Sequence, residues 1–447
     1  MNWSGRQVAV VGLGKSGVSA VRLLSGAGAR VHVTDSRSAQ TLATIRAELN
    51  DAVTSWDLGG HDVEKLRQAD LIVLSPGVAL ALEALQPARR AGVPIWSEIE
   101  LAWQFLSAEK NAPPLAGITG TNGKSTTTAL TAHLLQESGQ RVFAGGNLGT
   151  PLSTLALSGE RVDAVVCELS SFQLETCETL APRAAAVLNI TPDHLDRYAS
   201  IADYIAAKAR IFARQTERDA AILNAGDPAV AALAHDRRAR VLFFAGQDLR
   251  DDAGTLITAA GERFTVSSKA LRGAHNRENA MAAILLAREL GASPSGLQRG
   301  LATYPGLPHR LEQVATIGGI EFINDSKATN IDSVEKSLSA FDRGVHLILG
   351  GRGKGSPYEP LRQLLPGRVV AIYVIGEDGP NIARALDGIV PIESCGALST
   401  AVARAHANAK SGDVVLLSPA CASYDQFDHF EHRGNVFKTL VRALAAE

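Results

Sequence analysis

The sequence predicts an α/β protein of three successive domains, each built around a mainly parallel sheet. Two glycine-rich stretches, residues 12–17 and 117–125, each follow a short apolar run typical of a strand and precede a run with helical periodicity. In the last third of the chain, four further apolar runs alternate with helical stretches, which is the order that produces a parallel sheet. A chain of 447 residues is long enough for about three domains with separate cores.

The composition is that of an ordinary globular protein. Hydrophobic residues make up 46% and charged residues 20%, and the net charge of −2 argues against a basic nucleic-acid surface. Cys167, Cys177, Cys395 and Cys421 form no CxxC pair and no metal-ligand spacing, which favours a reduced compartment. The start lacks the apolar core of a signal peptide, and no apolar run reaches about 18 residues. We therefore expect a cytoplasmic protein without a membrane or nucleic-acid partner.

Residues 7–35 carry the fingerprint of a Rossmann fold. The strand-like run QVAVVG leads into GLGKSG, a helical run follows, and the next strand-like run, RVHVTD, ends in Asp35. Such a turn places phosphate groups at a helix N-terminus. The fingerprint alone leaves open a dinucleotide site, a site for another nucleotide diphosphate and a purely structural turn.

A later strand of this first domain is predicted in DLIVLSPGV, which breaks at Ser75, Pro76 and Gly77. Open α/β sheets hold their ligands at the carboxyl ends of such strands. The polar, proline-rich segment SAEKNAPP then ends the domain. We therefore place the first domain at residues 1–110.

The stretch LAGITGTNGKSTTT, residues 115–128, predicts a phosphate-binding loop. Its three evenly spaced glycines would present backbone N–H groups to phosphate, and the following helix would point its positive end at the same anion. Lys124 would reach the β- and γ-phosphates of ATP or GTP, and the Ser125 hydroxyl would hold Mg²⁺. The motif is a variant, because Ile118 stands where the standard motif has glycine. A glycine-rich turn with an incidental lysine is the alternative.

Two strand ends beside this loop carry polar residues. DAVVCELSSFQLE delivers Glu168 at the end of a strand, where nucleotide-hydrolysing folds keep a Mg²⁺ ligand. AAAVLNITPDHLDRY ends in Asp193, His194 and Asp196, although a solvated turn that caps the next helix would have the same composition. Asn147 lies in a third, glycine-rich loop, GGNLGTP.

Weaker signals follow in the second domain. Lys208 lies in the helical run IADYIAAKARIFARQ and, by pattern alone, is a surface lysine. Asn276 and Asn279 begin another helix, where they could cap it or hydrogen-bond an adenine, and the sequence favours neither. Arg310 lies in the predicted hinge GLPHRLE, from which it could reach a phosphate on closure, although a solvated linker arginine is the default.

The predicted second and third domains cover residues 111–308 and 309–447. In the third, the runs EFINDS, VHLILGG, VVAIYVIG and DVVLLSPAC predict a doubly wound parallel sheet. Three of these strands lead into polar loops, NDSKATN, GGRGKG and SPACASYDQFDHFEHRG. Three domains of this kind suggest a protein that closes to bring substrates together.

Seven stretches, in order along the whole chain, resemble the Mur ligases of peptidoglycan synthesis. They are TGTNGKST (119–126), ELSSFQLE (168–175), NITPDHLDRY (189–198), AAKARIF (206–212), PHRLE (308–312), NDSKATN (324–330) and SPACASYDQF (418–427). The chain is most similar to the members that add D-glutamate to UDP-N-acetylmuramoyl-L-alanine. The resemblance implies an N-terminal Rossmann-like domain for the UDP substrate, a central P-loop domain for ATP and a C-terminal Rossmann-like domain for the amino acid.

The resemblance also implies the reaction. ATP would phosphorylate the terminal carboxylate of the UDP-linked substrate, and the amine of D-glutamate would attack the acyl phosphate, so that ADP and phosphate are released. The implied cofactors are ATP and Mg²⁺ at two sites, and the implied state is a monomer.

The family's functional positions can be carried onto this sequence. The implied catalytic residues are Lys124, His194 and Lys208, the last as the lysine that the family carbamylates. The implied ATP site comprises Gly120, Thr121, Asn122, Gly123, Lys124, Ser125, Thr126, Asn276, Arg310 and Asp325. The implied UDP-substrate site comprises Ser16, Asp35, Ser36, Arg37, Ser75, Pro76, Gly77, Asn147 and His194. The implied D-glutamate contacts are Thr329, Lys354, Ser423 and Phe430, and the implied metal ligands are Ser125, Glu168, His194 and carbamylated Lys208.

Three alternatives remain. An NAD-dependent oxidoreductase would account for residues 7–35 but leaves the phosphate-binding loop unexplained. A nucleotide-driven switch would use that loop without covalent chemistry on a substrate. Another Mur ligase or a folylpolyglutamate synthase would keep the chemistry with a different acceptor. The DNPR-type motif of the ligase that adds the next, diamino residue is absent from the sequence, which argues for glutamate.

Overall fold

The computed structural model describes residues 2–147, 149–191, 197–235, 237–355 and 357–445. Strands in the described chain form three sheets, and helices pack between and around them, so the predicted α/β class is confirmed. The chain divides into two compact units. The first contains residues up to Val266 together with Glu278–Ala302, and the second contains Ser267–Arg277 together with residues from Thr303 onwards. The domain limits at 110/111 and 308/309 remain predictions.

The first sheet belongs to the first unit and has five parallel strands in the order β3-β2-β1-β4-β5. The strands are β1 Gln7–Val11, β2 Arg30–Asp35, β3 Ser55–Leu58, β4 Leu71–Leu74 and β5 Ile95–Ser97. The helices are α1 Lys15–Gly26, α2 Ala43–Glu48, α3 Val63–Arg67, α4 Gln86–Arg90 and α5 Glu98–Leu106. The strand order reverses between the neighbours β1 and β4, and the two predicted ligand turns follow these strands.

The second sheet, also in the first unit, has nine strands in the order β14-β13-β12-β11-β10-β9-β6-β8-β7. The strands are β6 Leu115–Thr119, β7 Val142–Gly146, β8 Ala164–Glu168, β9 Ala184–Val187, β10 Ala220–Asn224, β11 Arg240–Phe244, β12 Leu249–Asp252, β13 Thr255–Thr258 and β14 Arg263–Thr265. The pairs from β7 to β12 are parallel, whereas β12, β13 and β14 pair antiparallel and extend the sheet beyond the predicted parallel part.

Seven helices accompany the second sheet in the described chain: α6 Lys124–Glu137, α7 Leu152–Ser158, α8 Ser171–Leu174, α9 Ile201–Ala209, α10 Pro228–Ala231, α11 Ala274–Glu289 and α12 Pro294–Thr303. The central strands β6, β8, β9 and β10 are buried along their whole length. Strands covered on both faces consist of continuous apolar runs rather than alternating ones, which is why the sequence signal was clear here.

The third sheet belongs to the second unit and has the order β15-β16-β20-β17-β18-β19. Its strands are β15 Glu312–Ile317, β16 Ile320–Asn324, β17 Val345–Gly350, β18 Val369–Ile375, β19 Ile392–Gly396 and β20 Val414–Leu417, and the helices are α13 Ile331–Leu338, α14 Gly379–Leu386, α15 Leu398–Asn408 and α16 Phe430–Leu444. Edge strand β15 is antiparallel, so the sheet is not wholly parallel as predicted. Gly318 (φ +57°) and Gly319 (φ +80°) form the tight turn that reverses the chain there.

Helix α5 attaches the first sheet to the second within the first unit. Glu100, which is 0% exposed, accepts hydrogen bonds from the side chains of Gln104 and Thr179 and from the backbone N–H groups of Glu178, Thr179 and Leu180. Trp103 Nε1 also donates to the carbonyl oxygen of Thr179 at 3.1 Å. A buried carboxylate with this many donors fixes α5 on the loop that follows α8.

Within the described ranges, no helix is both long enough and apolar enough to cross a membrane.

Candidate active site

The loop between β6 and α6 has the backbone expected of a phosphate-binding turn. Gly120 (φ +151°) and Gly123 (φ +85°) lie in the left-handed region. The positive φ of Gly123 favours glycine, and a Cβ atom there would also displace the Asn279 side chain, whose Oδ1 would lie within 2.3 Å of it. Helix α6 begins directly after it at Lys124, and its positive end therefore lies next to the turn.

The Lys124 side chain folds back over the same turn. Its Nζ atom donates to the carbonyl oxygens of Gly120 at 2.9 Å and Thr121 at 2.8 Å. The ammonium charge is thus held at the glycine-rich turn, where it can neutralise a bound phosphate. Ser125 and Thr126 follow in the first turn of α6 and are buried.

The segment after β9 supports the phosphate-binding loop. Asn189 Oδ1 accepts a hydrogen bond from the Asn122 N–H at 2.8 Å, and Asn189 Nδ2 donates to the Asn122 carbonyl at 3.1 Å. The Thr121 N–H donates to the Asn189 carbonyl at 2.9 Å. Asn189 therefore holds two consecutive loop residues in place. The sequence offered one clue to this role, a polar residue directly after a predicted strand, but we assigned it no function.

Glu168 lies at the end of β8, next to the phosphate-binding loop. Strands β6 and β8 are neighbours, and Ile118 pairs with Glu168 across them. The carboxyl group is 3% exposed, and its Oε1 atom accepts a hydrogen bond from Asn147 Nδ2 at 2.7 Å. Its Oε2 atom is buried and has no hydrogen-bond partner among the described residues. An anionic oxygen left in this state suits a cation, since burying an uncompensated charge is costly.

Lys208 is buried in α9, with 1% of its surface exposed, whereas the helical pattern alone predicted a surface lysine. Its Nζ atom donates to the Gly120 carbonyl at 2.8 Å and lies 4.4 Å from the centre of the Tyr204 ring. The ammonium groups of Lys208 and Lys124 therefore share one acceptor. The resemblance drew attention to this lysine, and no periodicity could have done so.

The structure describes three of the four predicted metal ligands. His194 lies outside the described residues, together with Asp193 and Asp196. In the part of the chain that the structure describes, no group of three His, Cys, Asp or Glu side chains could hold a metal ion. The described part of the predicted set is Glu168, Ser125 and Lys208, of which only Glu168 is a carboxylate.

The glycine turn after β1 packs against the turn after β4. Gly12 has φ +89°, and a Cβ atom on Gly17 would come within 2.0 Å of the Gly12 carbonyl oxygen. Ser75 Oγ donates to the same carbonyl at 2.7 Å. The structure thus brings together the predicted ligand turns of the first sheet. The predicted residues Ser16 and Pro76 are partly buried there and Gly77 is exposed.

Asp35, at the end of β2, is tied to Arg37 and to the glycine turn. Its carboxylate accepts four hydrogen bonds, from the N–H, Nε and Nη2 of Arg37 and from the N–H of Leu13. Burial raises the pKa of this carboxyl, but the hydrogen bonds from Arg37 and Leu13 outweigh burial and lower the pKa to about 2. Asp35 therefore stays ionised and orients the Arg37 side chain. Arg37 is half exposed, and the neighbouring Ser36 is exposed.

In the second unit, three polar loops follow the neighbouring strands β16, β17 and β20. Lys354 Nζ donates to Thr329 Oγ1 at 3.3 Å, which joins two of the predicted D-glutamate contacts. Ser423 is 2% exposed in the third loop. Phe430 begins α16, and Lys327 Nζ lies 5.7 Å from the centre of its ring. The four predicted residues thus lie on loops at one edge of this sheet or on the helix beside it.

Asp325 and Arg310 also belong to the second unit. Asp325 is 4% exposed and accepts hydrogen bonds from the Leu311 N–H at 3.2 Å, from Ser418 Oγ at 2.9 Å and from Ser337 Oγ. Burial raises its pKa to about 6 against the opposing effect of these hydrogen bonds and of Arg310. Arg310 Nε is buried without a hydrogen-bond partner among the described residues.

The two asparagines at the start of α11 have different surroundings. Asn276 Nδ2 donates to the Arg272 carbonyl at 2.8 Å, within the second unit. Asn279 Oδ1, in the first unit, accepts a hydrogen bond from Thr127 Oγ1 at 3.3 Å. Asn279 therefore packs against the first turn of α6, a position that the sequence analysis did not assign to it. An adenine contact for Asn276 stays a prediction.

Comparisons with known proteins agree with this arrangement. Three family models match consecutive parts of the chain: "Mur ligase MurD-like, N-terminal domain" over residues 6–97, "Mur ligase middle domain" over 118–287 and "Mur ligase, glutamate ligase domain" over 309–421. Together these matches reach from the residue before β1 to the loop after β20.

Curated relatives match over the full length of the chain. A protein of Anaeromyxobacter dehalogenans is 53% identical over 99% of this chain and 98% of its own length, and one of Myxococcus xanthus is 50% identical over 99% of each. A protein of Acidobacterium capsulatum is 45% identical over 99% of this chain and 97% of its own. All three are named UDP-N-acetylmuramoylalanine–D-glutamate ligases.

Solved structures show the same fold at low sequence identity. The crystal structure of UDP-N-acetylmuramate–alanine ligase from Thermotoga maritima has a TM-score of 0.61 at 20% identity and covers 99% of this chain and 100% of its own. The structure of E. coli FolC in complex with DHPP and ADP has a TM-score of 0.58 at 19% identity and covers 77% of this chain and 93% of its own. With full-length relatives at 45–53% identity and three matching family models, the chain belongs to the Mur ligase family.

Proposed function

We propose that the chain is an ATP-dependent amide ligase that adds D-glutamate to UDP-N-acetylmuramoyl-L-alanine in peptidoglycan synthesis. The observation that carries the proposal is the pairing of β6 with β8, which sets the Lys124 loop beside the buried Glu168 carboxylate. The full-length relatives bear the name of this activity. Because the reaction consumes ATP and a UDP-linked precursor, we place it in the cytoplasm, and we propose a monomer.

The chemistry explains why a phosphate-binding loop serves amide formation. A carboxylate is a poor electrophile, and transfer of the ATP γ-phosphoryl group to it creates an acyl phosphate with phosphate as the leaving group. The amine of D-glutamate attacks the acyl carbon, the C–O bond to phosphate breaks, and the amine gives up a proton. Catalysis then depends mainly on positioning and on neutralising charge, which is the role of Lys124.

Glu168 and Ser125 suit a Mg²⁺ ion held with the ATP phosphates. Oxygen ligands are those that Mg²⁺ prefers, and Oε2 of Glu168 is a buried anionic oxygen without another partner among the described residues. When bound, Mg²⁺ would neutralise charge on the transferring phosphoryl group. We propose a second Mg²⁺ site that would use His194 and carbamylated Lys208.

Carbamylation of Lys208 would remove an electrostatic conflict. Lys208, which is buried, and Lys124, which is half-buried, donate to the same carbonyl oxygen, that of Gly120, so two like charges lie at short range. The Lys208 ammonium group would first lose one proton, and CO₂ would then add to the neutral amine with loss of a second proton, so that a buried cation becomes an anion. That anion would attract Lys124 and could support a metal ion.

The remaining predicted residues are assigned by substrate. We propose that the UDP moiety is held by Ser16, Asp35, Ser36, Arg37, Ser75, Pro76 and Gly77, with Asn147 and His194 along the path of the muramoyl group. We propose Asn276, Arg310 and Asp325 as further ATP contacts. Thr329, Lys354, Ser423 and Phe430 would hold D-glutamate, for which a lysine with hydroxyl groups is suitable chemistry.

Phosphate release from Mg-ATP tests the proposal. The assay would contain UDP-N-acetylmuramoyl-L-alanine with D-glutamate, with L-glutamate or with no amino acid. Release that requires both the nucleotide substrate and D-glutamate would support the proposed reaction. Release with a different amino acid would identify a sister ligase, and release without any acceptor would contradict amide formation.

The Lys124→Ala variant tests the role of the loop. Loss of a preorganised charge at the transferring phosphate should lower turnover by about two or more orders of magnitude. Lys110→Ala, an exposed lysine of the first unit, is the matched control and should keep wild-type turnover. Near-normal turnover of Lys124→Ala would contradict the assignment of the loop.

A further inference from the structure

Three helices of the first unit meet at a buried cluster of polar side chains. Glu98, the first residue of α5, accepts a hydrogen bond from the Ser153 N–H in α7 at 2.5 Å. The Ser153 hydroxyl donates to Ser19 Oγ in α1 at 2.8 Å, and Ser19 Oγ lies 3.1 Å from Thr154 Oγ1. Glu98, Ser19 and Ser153 are all buried. This cluster lies where helices of the first sheet pack against a helix of the second.

Glu98 supplies α7 with a cap that its own sequence lacks. The N-cap residue of α7 is Pro151, whose side chain has no polar atom, and no side-chain hydrogen bond caps the helix from that position. The first N–H groups of a helix need acceptors from outside the helix, and the Glu98 carboxyl group provides one for Ser153. Burial raises the pKa of Glu98 to about 7, so its neutral form is accessible near neutral pH.

The chain that leads into α7 lies directly against the proposed metal ligand. The Gly146 N–H donates to the Thr150 carbonyl at 2.8 Å, and the Asn147 N–H donates to the Glu168 carbonyl at 2.9 Å. Asn147 Nδ2 also donates to Glu168 Oε1. A Cβ atom on Gly146 would come within 2.4 Å of the Glu168 carbonyl oxygen, so this contact leaves no free space. Consecutive contacts therefore link the chain before α7 to Gly146 and the adjacent Asn147, and Asn147 to the Glu168 carboxylate.

The same cluster reaches the glycine turn after β1. Ser19 lies three residues after Ser16 in α1, so both belong to the first turns of the helix that follows the turn. The hydroxyl groups of Ser153 and Ser19 thus link α7 to α1. The cluster connects the edge proposed for the UDP moiety with the carboxylate proposed for the metal.

We propose that Glu98 is a positioning residue for the ligase reaction, which acts through Ser153 and Asn147 to hold the Glu168 carboxylate in its metal-binding orientation. The proposal rests on the proposed function, because it assumes that Glu168 binds the metal of Mg-ATP. Glu98 touches neither substrate nor metal in this account. Its effect should therefore be seen in metal affinity rather than only in stability.

Direct binding of Mn²⁺ tests this role without the ligase reaction. Mn²⁺ replaces Mg²⁺, a non-hydrolysable ATP analogue supplies the phosphates, and electron paramagnetic resonance measures free Mn²⁺. Glu98→Leu keeps the side-chain volume but removes the acceptor for the Ser153 N–H. We expect its Kd for Mn²⁺ to rise about tenfold, as is typical when a residue that orients a metal ligand is lost.

Glu98→Gln is the conservative variant. Its amide oxygen can still accept a hydrogen bond from the Ser153 N–H, so we expect its Kd for Mn²⁺ to lie within about twofold of the wild-type value. That change is smaller than the roughly tenfold loss expected when an orienting partner is removed. Glu98→Asp keeps a carboxyl group but is too short to reach the same N–H, so it should behave like Glu98→Leu. If Glu98→Leu does not fold, the Kd of Glu98→Asp for Mn²⁺ tests the proposal in its place. Wild-type Mn²⁺ affinity in Glu98→Asp would overturn the proposal.

A double-mutant cycle with Asn147→Ala separates positioning from general destabilisation. If Glu98 acts through Asn147, replacing Glu98 should not further weaken Mn²⁺ binding once Asn147 is gone. Additive losses would overturn the proposed path. If Glu168→Gln binds Mn²⁺ as tightly as the wild type, Glu168 is not a metal ligand and the proposal for Glu98 fails with it. Failure of the D-glutamate assay alone would count against the proposed function and not against the role of Glu98.

Discussion

Arg433 donates two hydrogen bonds to Ser326, from Nε to the side-chain oxygen and from Nη2 to the carbonyl oxygen, both at 2.9 Å. Nη2 also donates to the Cys421 carbonyl at 3.1 Å, and Nη1 lies 3.5 Å from the carbonyls of Gly350 and Ala422. The arginine is 0% exposed. One guanidinium group from α16 therefore holds together the three loops that follow β16, β17 and β20, which carry the proposed D-glutamate contacts.

Replacement of Arg433 by lysine should impair D-glutamate binding more than ATP use. Lysine cannot reproduce the planar set of donors, so carbonyl groups in three loops would lose their partners. We expect KM for D-glutamate to rise about tenfold or more and the free energy of unfolding to fall by about 2 kcal/mol. Steady-state kinetics with varied D-glutamate and varied ATP measure the first effect.

Arg442→Lys is the control for this change, because Arg442 is exposed on the same helix. It should leave both kinetics and stability unchanged. An Arg433→Lys variant with lower stability but the wild-type KM for D-glutamate would show that the arginine only stabilises the unit.

The Lys208→Ala variant should be inactive, and short-chain carboxylic acids should partly restore its activity. Removing the side chain deletes the proposed carbamate, and a small carboxylate such as acetate could occupy the same buried space beside Lys124. Phosphate release would be measured with increasing acetate for Lys208→Ala and for the wild type. In the wild type, mass spectrometry under CO₂ should also show the added carbamate.

Lys124→Ala is a control of a different kind for this rescue, because acetate cannot replace a lost cation. Its turnover should stay low at every acetate concentration. Full activity of Lys208→Ala without added carboxylate would show that the buried lysine has no part in the reaction.

The contribution of Asp325 to the stability of the protein should decrease as pH rises through the titration of its carboxyl group. Burial raises the pKa of its carboxyl from 3.8 to about 6 in the folded state. Between these two pH values the carboxyl group of Asp325 binds more protons in the folded state than in the unfolded state, so its contribution to the free energy of unfolding falls as pH rises. The shift corresponds to about 3 kcal/mol in total.

Asp325→Asn isolates this contribution, because the amide does not titrate. We expect the stability of the wild type relative to Asp325→Asn to fall by about 2 kcal/mol between pH 4.5 and pH 7 in urea denaturation. A relative stability that does not change with pH would mean that Asp325 keeps an ordinary pKa in the folded protein.

Much of the fold could be predicted because its central strands are buried on both faces. The runs that became β1, β4, β6, β8 and β9 are mainly apolar, and turns rich in glycine or proline end several of them. β3, β5 and β19 were missed since they are short and only partly buried. The antiparallel strands β12 to β14 alternate too weakly for the pattern to distinguish them from loops.

The candidate site was predictable to the extent that its residues lie in short motifs. Lys124 and Glu168 follow strands in a recognisable order, so local sequence was enough to single them out. Asn189 and Arg433 contribute through contacts across sequence separations that no periodicity encodes. Burial of Lys208 and Arg433 likewise depends on which elements cover them, and a helical pattern with a polar residue predicts the opposite.

Glu100→Gln should destabilise the attachment of α5 more than an ordinary surface change. The two carboxylate oxygens of Glu100 accept hydrogen bonds from Glu178, Thr179 and Leu180 N–H groups and from two side chains. In the amide variant one oxygen becomes an NH₂ group, which would face N–H donors in a buried site. We expect the free energy of unfolding to fall by about 2 to 3 kcal/mol, the cost of losing charged hydrogen bonds and leaving donors unsatisfied.

Urea denaturation of the variant and of Glu109→Gln, an exposed glutamate shortly after the same helix, measures the difference. Equal stability of the two variants would mean that the backbone donors around Glu100 find other acceptors, and that the packing of Trp103 and its neighbours alone holds α5 in place.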